Sequence, residues 1–162
     1  MNRYRYVPEN IIPEHSELPK REVGHRLRRL NLFGLIFGWT GSYVGYALNT
    51  AGYDCLAINA LVRGNIIEAL GKSLGVGKES DVYDALDPDG KRVAAKFHRL
   101  GRVSFRQTKR LRGYVRRGRQ ASWLHQSRLA AEKEFEALNL VHPCGVSVPK
   151  PIGQNRHVVV MG

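Results

Sequence analysis

The stretch LGVGKESDVY (Leu74–Tyr83), followed by VAAKFH (Val93–His98), decides how this chain is read. Gly75 and Gly77 let the backbone approach a ligand closely, and the N–H groups near Lys78 to Ser80 can donate to a phosphate. Between the two stretches lies DPDG (Asp87–Gly90), a turn sequence in which proline presets φ and glycine accepts a positive one. It delivers the chain into a strand, Arg92 to Phe97, that carries Lys96 among apolar neighbours. A half-buried lysine on a strand is costly unless an anion meets it. Gly-x-Gly pairs also occur in ordinary hairpins, and an edge lysine can snorkel to water. Glycine turn, hairpin and lysine together point to a phosphate grip. Its candidate members are Gly75, Val76, Gly77, Lys78, Glu79, Ser80, Val82 and Lys96.

The phosphate lysine of a kinase is braced by a glutamate on the helix that follows. Residues about 127 to 141 read as that helix, with Ala131, Phe135 and Leu138 on one face. Glu132, Glu134 and Glu136 compete for the role. Glu134 lies nearest the apolar stripe, whereas Glu132 can pair with Arg128 along the helix. Val146 to Ile152 reads as an edge strand or extended segment, confined by Pro149 and Pro151. After the turn Asn155-Arg156, His157 to Met161 reads as an apolar strand. Met161 and Gly162 then stand where a gatekeeper side chain and the start of an adenine-binding hinge would be.

Residues 1 to about 63 have a different pattern. Pro19 fits a first helical position, Glu22 suits a helix N-terminus, and Val23, Leu27 and Leu30 share a face. Gly34 stops that helix. Leu35–Trp39 and Tyr43–Leu48 read as a two-stranded wing, and Asn49 or Thr50 can cap a helix over about 50–62. Arg26 and Arg29 lie on the polar face of the first of these helices and are candidates for nucleic-acid contact, although solvated arginines are the commoner case. Pro13 costs about 3 kcal/mol if it falls inside a helix. A domain of about 60 residues buries only about 60% of its unfolded surface, so this part is marginal alone.

The 162 residues carry 26 Lys and Arg against 14 Asp and Glu, a formal charge of +12. From Gly90 to Ala131 there is no acidic residue, yet 13 of the basic ones lie there. Such a block attracts polyanions. With Phe105, Tyr114 and Trp123 interleaved, Arg116, Arg117 and Arg119 are further nucleic-acid candidates, on a basic loop expected over about 100–127. Cys55 and Cys144 are in no metal-like spacing and read as buried or free thiols. No secretory signal and no run of about 20 apolar residues is visible, so a cytoplasmic protein without a membrane partner is expected, as a monomer.

GVGKESDVY, KFHRLG (Lys96–Gly101), Ser104–Arg106, Ala121–Leu124 and Arg128–Leu138 resemble the atypical RIO protein kinases, in the second, winged-helix-bearing subfamily and its archaeal form. Gly41–Tyr46 and Ala51–Asp54 are similar to that subfamily's wing and the helix after it. The resemblance implies an α+β fold: a winged helix-turn-helix over 1–63, then a kinase-like N-lobe over 64–162, an antiparallel sheet with one main helix. It implies an ATP site with Ser80 and its neighbours on the phosphates, Lys96 on the α- and β-phosphates, Glu134 bracing Lys96, and Met161 and Gly162 at the adenine. Mg²⁺ and a serine/threonine kinase or ATPase role in maturing the small ribosomal subunit, with its rRNA as partner, are implied too.

The sequence departs from that pattern in places. Ser80 stands for the third glycine, Gly162 for an acidic hinge residue, and Asp84 holds a strand position where an apolar residue is expected. Neither the family's His-Gly-Asp…Asn loop nor its Asp-Phe-Pro loop is present, nor is the usual first helix of the winged domain. The expectation is therefore a piece without the C-lobe, with no metal ligands of its own, that binds nucleotide weakly without turnover. The competing expectation is a non-catalytic module holding RNA through the winged helix and basic loop.

Overall fold

The computed structural model describes Tyr4, residues 6–100 and residues 123–162. The chain packs as two compact units, Met1–Leu56 and Ala57–Gly162.

In the first unit, strand β1 (Val7–Pro8) leads through a single 3-10 turn into α1 (Ile12–Ser16) and α2 (Lys20–Leu32). Strands β2 (Ile36–Thr40) and β3 (Val44–Leu48) form the expected hairpin, and β1 adds to its edge with Val7 opposite Tyr46. Val23 and Leu27 of α2 and Ile36 of β2 make the core, with Ile12, Leu18 and Tyr46 against it. Pro13 lies in the first turn of α1, where its missing N–H would have no helical partner, so the expected interior cost does not arise. Pro19 is the residue just before α2 rather than its first.

Helix α3 (Thr50–Arg63) follows, capped by Asn49, whose Oδ1 accepts the Gly52 N–H at 2.9 Å. A Cβ on Gly52 would sit 2.1 Å from the Leu35 carbonyl oxygen. Gly52→Ala is therefore expected to destabilise this unit by about 1–3 kcal/mol, since backbone must move to admit the methyl. Thermal unfolding that matched the wild type would contradict the close approach.

The second unit is a five-stranded antiparallel sheet in the order β4-β5-β6-β8-β7. Its strands are β4 (Ala69–Val76), β5 (Ser80–Leu86), β6 (Arg92–His98), β7 (Pro151–Asn155) and β8 (Val158–Met161). The β5–β6 turn closes on Asp87, whose Oδ1 accepts the Asp89 and Lys91 N–H groups at 3.0 and 2.8 Å, while Gly90 takes φ +78°. Ala85, Val93, Ala95, Phe97, Val158 and Val160 pack one face of the sheet against Ala57, Leu61 and Ile67. The other face carries Ala94, Val159 and Met161 against Ala131, Phe135 and Leu138 of α4 (Trp123–Val141).

Two sequence expectations are corrected here. Helix α4 begins at Trp123 rather than near 127, so the loop expected over about 100–127 does not reach that far; buried Gln126 and Ser127 belong to the helix, and Ser127 Oγ accepts the Leu100 N–H at 3.1 Å. The seventh strand is Pro151–Asn155 rather than Val146–Ile152. Proline lacks an N–H for the ladder, and Pro151 stands where that costs least, first in an edge strand. Arg116, Arg117 and Arg119, with the rest of the basic segment from 101 to 122, lie outside the described residues. Cys55 and Cys144 are both free and exposed. Among the described residues no helix is long and apolar enough to cross a membrane.

Candidate functional site

Strand alternation sets the site. On β6, Val93, Ala95 and Phe97 enter one core, which turns Ala94, Lys96 and His98 to the opposite face, under α4. The α4 stripe that seals this face brings a carboxylate with it. Lys96 Nζ donates to Glu134 Oε1 at 2.6 Å. Glu132 pairs instead with Arg128 at 2.7 Å, and Glu136 with Lys133 at 2.5 Å, both along the exposed side of the helix. Of the three competing glutamates, Glu134 is the one that meets the lysine.

A third group, to which sequence reasoning gave no role, completes the cluster. His98 Nε2 lies 2.7 Å from Glu134 Oε2. The signal was the i, i+2 spacing of Lys96 and His98, which places both side chains on one strand face. The His98 contact, and after it Lys96, holds the Glu134 carboxyl down to about 2 although burial works the other way. With an ordinary value of 4.5, the folded form gains from ionised Glu134 above that pH and loses the gain as pH falls towards about 2. The wild type should lose up to about 3 kcal/mol of stability across that window. Glu134→Gln, already neutral, should show a correspondingly shallower acid limb in unfolding experiments.

The glycine turn lies at the start of β5. The Gly77 N–H donates to the Ser80 carbonyl at 2.7 Å, and Gly75 pairs with Val82 across the β4–β5 ladder. A Cβ on Gly75 would meet nothing within 4 Å. Val76, Lys78 and Glu79 are exposed, Ser80 and Val82 half-buried. Val82 faces Lys96 in register, and Ser80 faces His98. The turn is anchored from below. Arg99 N–H donates to the Glu79 carbonyl at 2.6 Å, and the buried Arg99 guanidinium meets buried Asp81, Nε to Oδ2, at 2.8 Å.

On the same sheet is an open groove of about 390 Å³, lined by Leu74, Ala94, Pro149, Met161 and Gly162; Lys96, Glu134 and the glycine turn do not line it. Met161 is opposite Ala94 in the sheet, and Gly162 exchanges two backbone hydrogen bonds with Lys150, at 2.9 and 3.1 Å. Asp84, out of place on an apolar strand pattern, takes Arg92 as a two-pronged partner at 3.2 and 2.9 Å, and the pair also lines the cleft. Volume and apolar lining suit a planar heterocycle. Among the described residues no group of three His, Cys, Asp or Glu could hold a metal ion.

In the first unit, Arg26 is engaged by Glu22 at 2.7 Å, and the Arg29 guanidinium lies 5.6 Å from the centre of the Phe33 ring. The two arginines are thus on α2 but each has a neighbour of its own.

Residues 81–162 match the family model described as the RIO domain, and residues 1–64 match that described as Rio2, N-terminal. The chain is similar to the RIO-type serine/threonine-protein kinase Rio2 of Methanocaldococcus jannaschii, with 47% identity over 162 residues, covering all of this chain and 58% of the relative. It is similar to the serine/threonine-protein kinase rio2 of Schizosaccharomyces pombe at 48% identity, over 98% of this chain and 46% of the relative. Among solved structures, the Rio2 kinase–ADP/Mg²⁺–phosphoaspartate complex from Chaetomium thermophilum superposes with a TM-score of 0.82 at 36% identity, over 99% of this chain and 48% of that one. The chain thus spans about half the length of the relatives it matches.

Proposed function

The chain belongs to the RIO family, in its Rio2 branch, and from that premise we propose that it forms the ATP-gripping part of a serine/threonine kinase or ATPase that acts on the small ribosomal subunit precursor and its rRNA in the cytoplasm. The observation that carries this reading is the Lys96–Glu134 pair, with Lys96 in register opposite Val82 on the strand that leaves the glycine turn. In a solved relative, an ADP/Mg²⁺ complex has been obtained on the same fold.

The residues present fit an adenine nucleotide. Leu74, Ala94 and Met161 offer apolar walls to the base, and Gly162 lines the groove beside them with its N–H and C=O paired to Lys150. The space above Gly75 is open to a phosphate, and the backbone N–H groups near Lys78 to Ser80 can donate to it, that of Gly77 being taken by the Ser80 carbonyl. Lys96 neutralises phosphate charge while Glu134 keeps its ammonium aimed. Phosphoryl transfer rests on such positioning and on charge neutralisation rather than on covalent chemistry by the protein. Mg²⁺, when bound with the nucleotide, would supply further neutralisation; among the described residues no group of three His, Cys, Asp or Glu could hold it.

The test is an equilibrium titration of Mg-ATP into the chain, with Gly75→Ala as the informative variant. A methyl at Gly75 meets no protein atom, so the fold should be as stable as wild type. Yet the methyl stands where the phosphates would approach. Affinity should fall about tenfold or more, the equivalent of about 1.4 kcal/mol. A wild-type chain that does not bind ATP, or a Gly75→Ala variant that binds as well, contradicts the assignment.

A further inference from the structure

His98 is not needed for the lysine–glutamate pair, yet it is built into it. Its imidazole is buried, and its Nε2 meets Glu134 Oε2 as a close ion-pair contact without hydrogen-bond alignment, which leaves both atoms otherwise unpartnered among the described residues. At the 2.7 Å that separates these atoms, a protonated Nε2 would be attracted to the carboxylate and a bare one repelled. Glu134 is met at both oxygens, by a hydrogen bond from Lys96 at Oε1 and by the His98 contact at Oε2. The backbone of His98 is fixed as well: its N–H donates to the His157 carbonyl at 2.8 Å, and in the sheet it stands opposite Ser80, where the glycine turn ends.

Resting on the nucleotide reading above, we propose that His98 is a positioning residue of the ATP site, one that fixes the Glu134 carboxylate so that Lys96 reaches the phosphates already aimed. A carboxylate held at one oxygen can turn about its last torsion and carry the lysine with it. Held at both, it cannot. Ordering the pair before ATP arrives removes that cost from binding. His98 also shares the charge of Glu134, so that Lys96 is not wholly committed to its partner and keeps its attraction for phosphate. Because residue 98 faces Ser80, the same imidazole ties α4 to the strand leaving the glycine turn.

The test uses His98→Leu and His98→Gln in the full 162-residue chain. Glutamine can place an amide N–H near the position of Nε2, whereas leucine has no donor. Mg-ATP affinity should fall about tenfold in His98→Leu and stay within about threefold of wild type in His98→Gln. The second readout needs no nucleotide. By carbon NMR, the Glu134 carboxyl should remain ionised to about pH 3 in wild type and His98→Gln, and protonate at least about one unit higher in His98→Leu. A purely structural histidine would alter melting without this split between leucine and glutamine. Equal ATP affinity in all three proteins, or an unmoved Glu134 midpoint, overturns the inference. A wild-type chain that binds no ATP overturns the nucleotide reading instead, and the midpoint still reports whether His98 holds Glu134.

Discussion

Arg99→Ala should destabilise residues 57–162 by about 3–5 kcal/mol, enough to lower the melting temperature by about 10 °C or more. Arg99 and Asp81 are both buried, with their side chains 6% and 3% exposed. Removing the guanidinium takes a charged partner from a buried carboxylate, and it is the loss of such compensation that makes buried pairs costly to break. The guanidinium also lies 5.2 Å from the centre of the Phe97 ring and 3.3 Å from His157 Nε2, so packing is lost with the charge. The Arg99 N–H still reaches the Glu79 carbonyl in the variant, but the strand that presents it is loosened. Replacing both partners by apolar residues, as in the double variant Asp81→Leu with Arg99→Met, should recover much of the loss. Denaturant unfolding of the three proteins measures this. A single variant within about 1 kcal/mol of wild type would show that the pair does not anchor the turn.

Lys96→Ala should weaken Mg-ATP binding by about tenfold to a hundredfold. A charge-assisted hydrogen bond is worth about 1.5–3 kcal/mol, and each 1.4 kcal/mol is tenfold in affinity. Glu134 keeps His98 in this variant, so the α4 side of the site should stay in place. The loss should accordingly appear in nucleotide affinity more than in melting temperature. Arg99→Ala should do the opposite, since its target is the fold. Measured side by side, the two variants separate the residues that grip from those that support.

The hairpins, the turn at Asp87–Gly90 and the helix that seals the sheet were legible because each carries local chemistry in the sequence. Glu134 was legible for a related reason: only one of three glutamates shares the stripe of Ala131, Phe135 and Leu138. His98 stood in a quoted motif without a role, because one histidine on a strand shows its partner only when the helix is placed over it. Asp81 and Arg99 were hidden similarly. Asp81 is a charged residue on an apolar strand face, Arg99 follows the end of β6, and their pairing spans 18 positions. The start of α4 was misjudged because Gln126 and Ser127 are polar yet buried, which breaks the apolar period that announces a helix. The seventh strand was shifted because two prolines blur where a ladder can begin. Asp84 holds a strand position where an apolar residue is expected, and its partner Arg92, across the β5–β6 hairpin, accounts for the charge there.

The most direct test of the central claim is to follow backbone amide resonances of the chain as Mg-ADP is added. The account predicts that the largest shifts fall on Gly75 to Ser80, Lys96 and Gly162, and that Lys96→Ala suppresses them at the same nucleotide concentration. Shifts that are absent, or that fall on the Met1–Leu56 unit and leave the glycine turn unmoved, would contradict it.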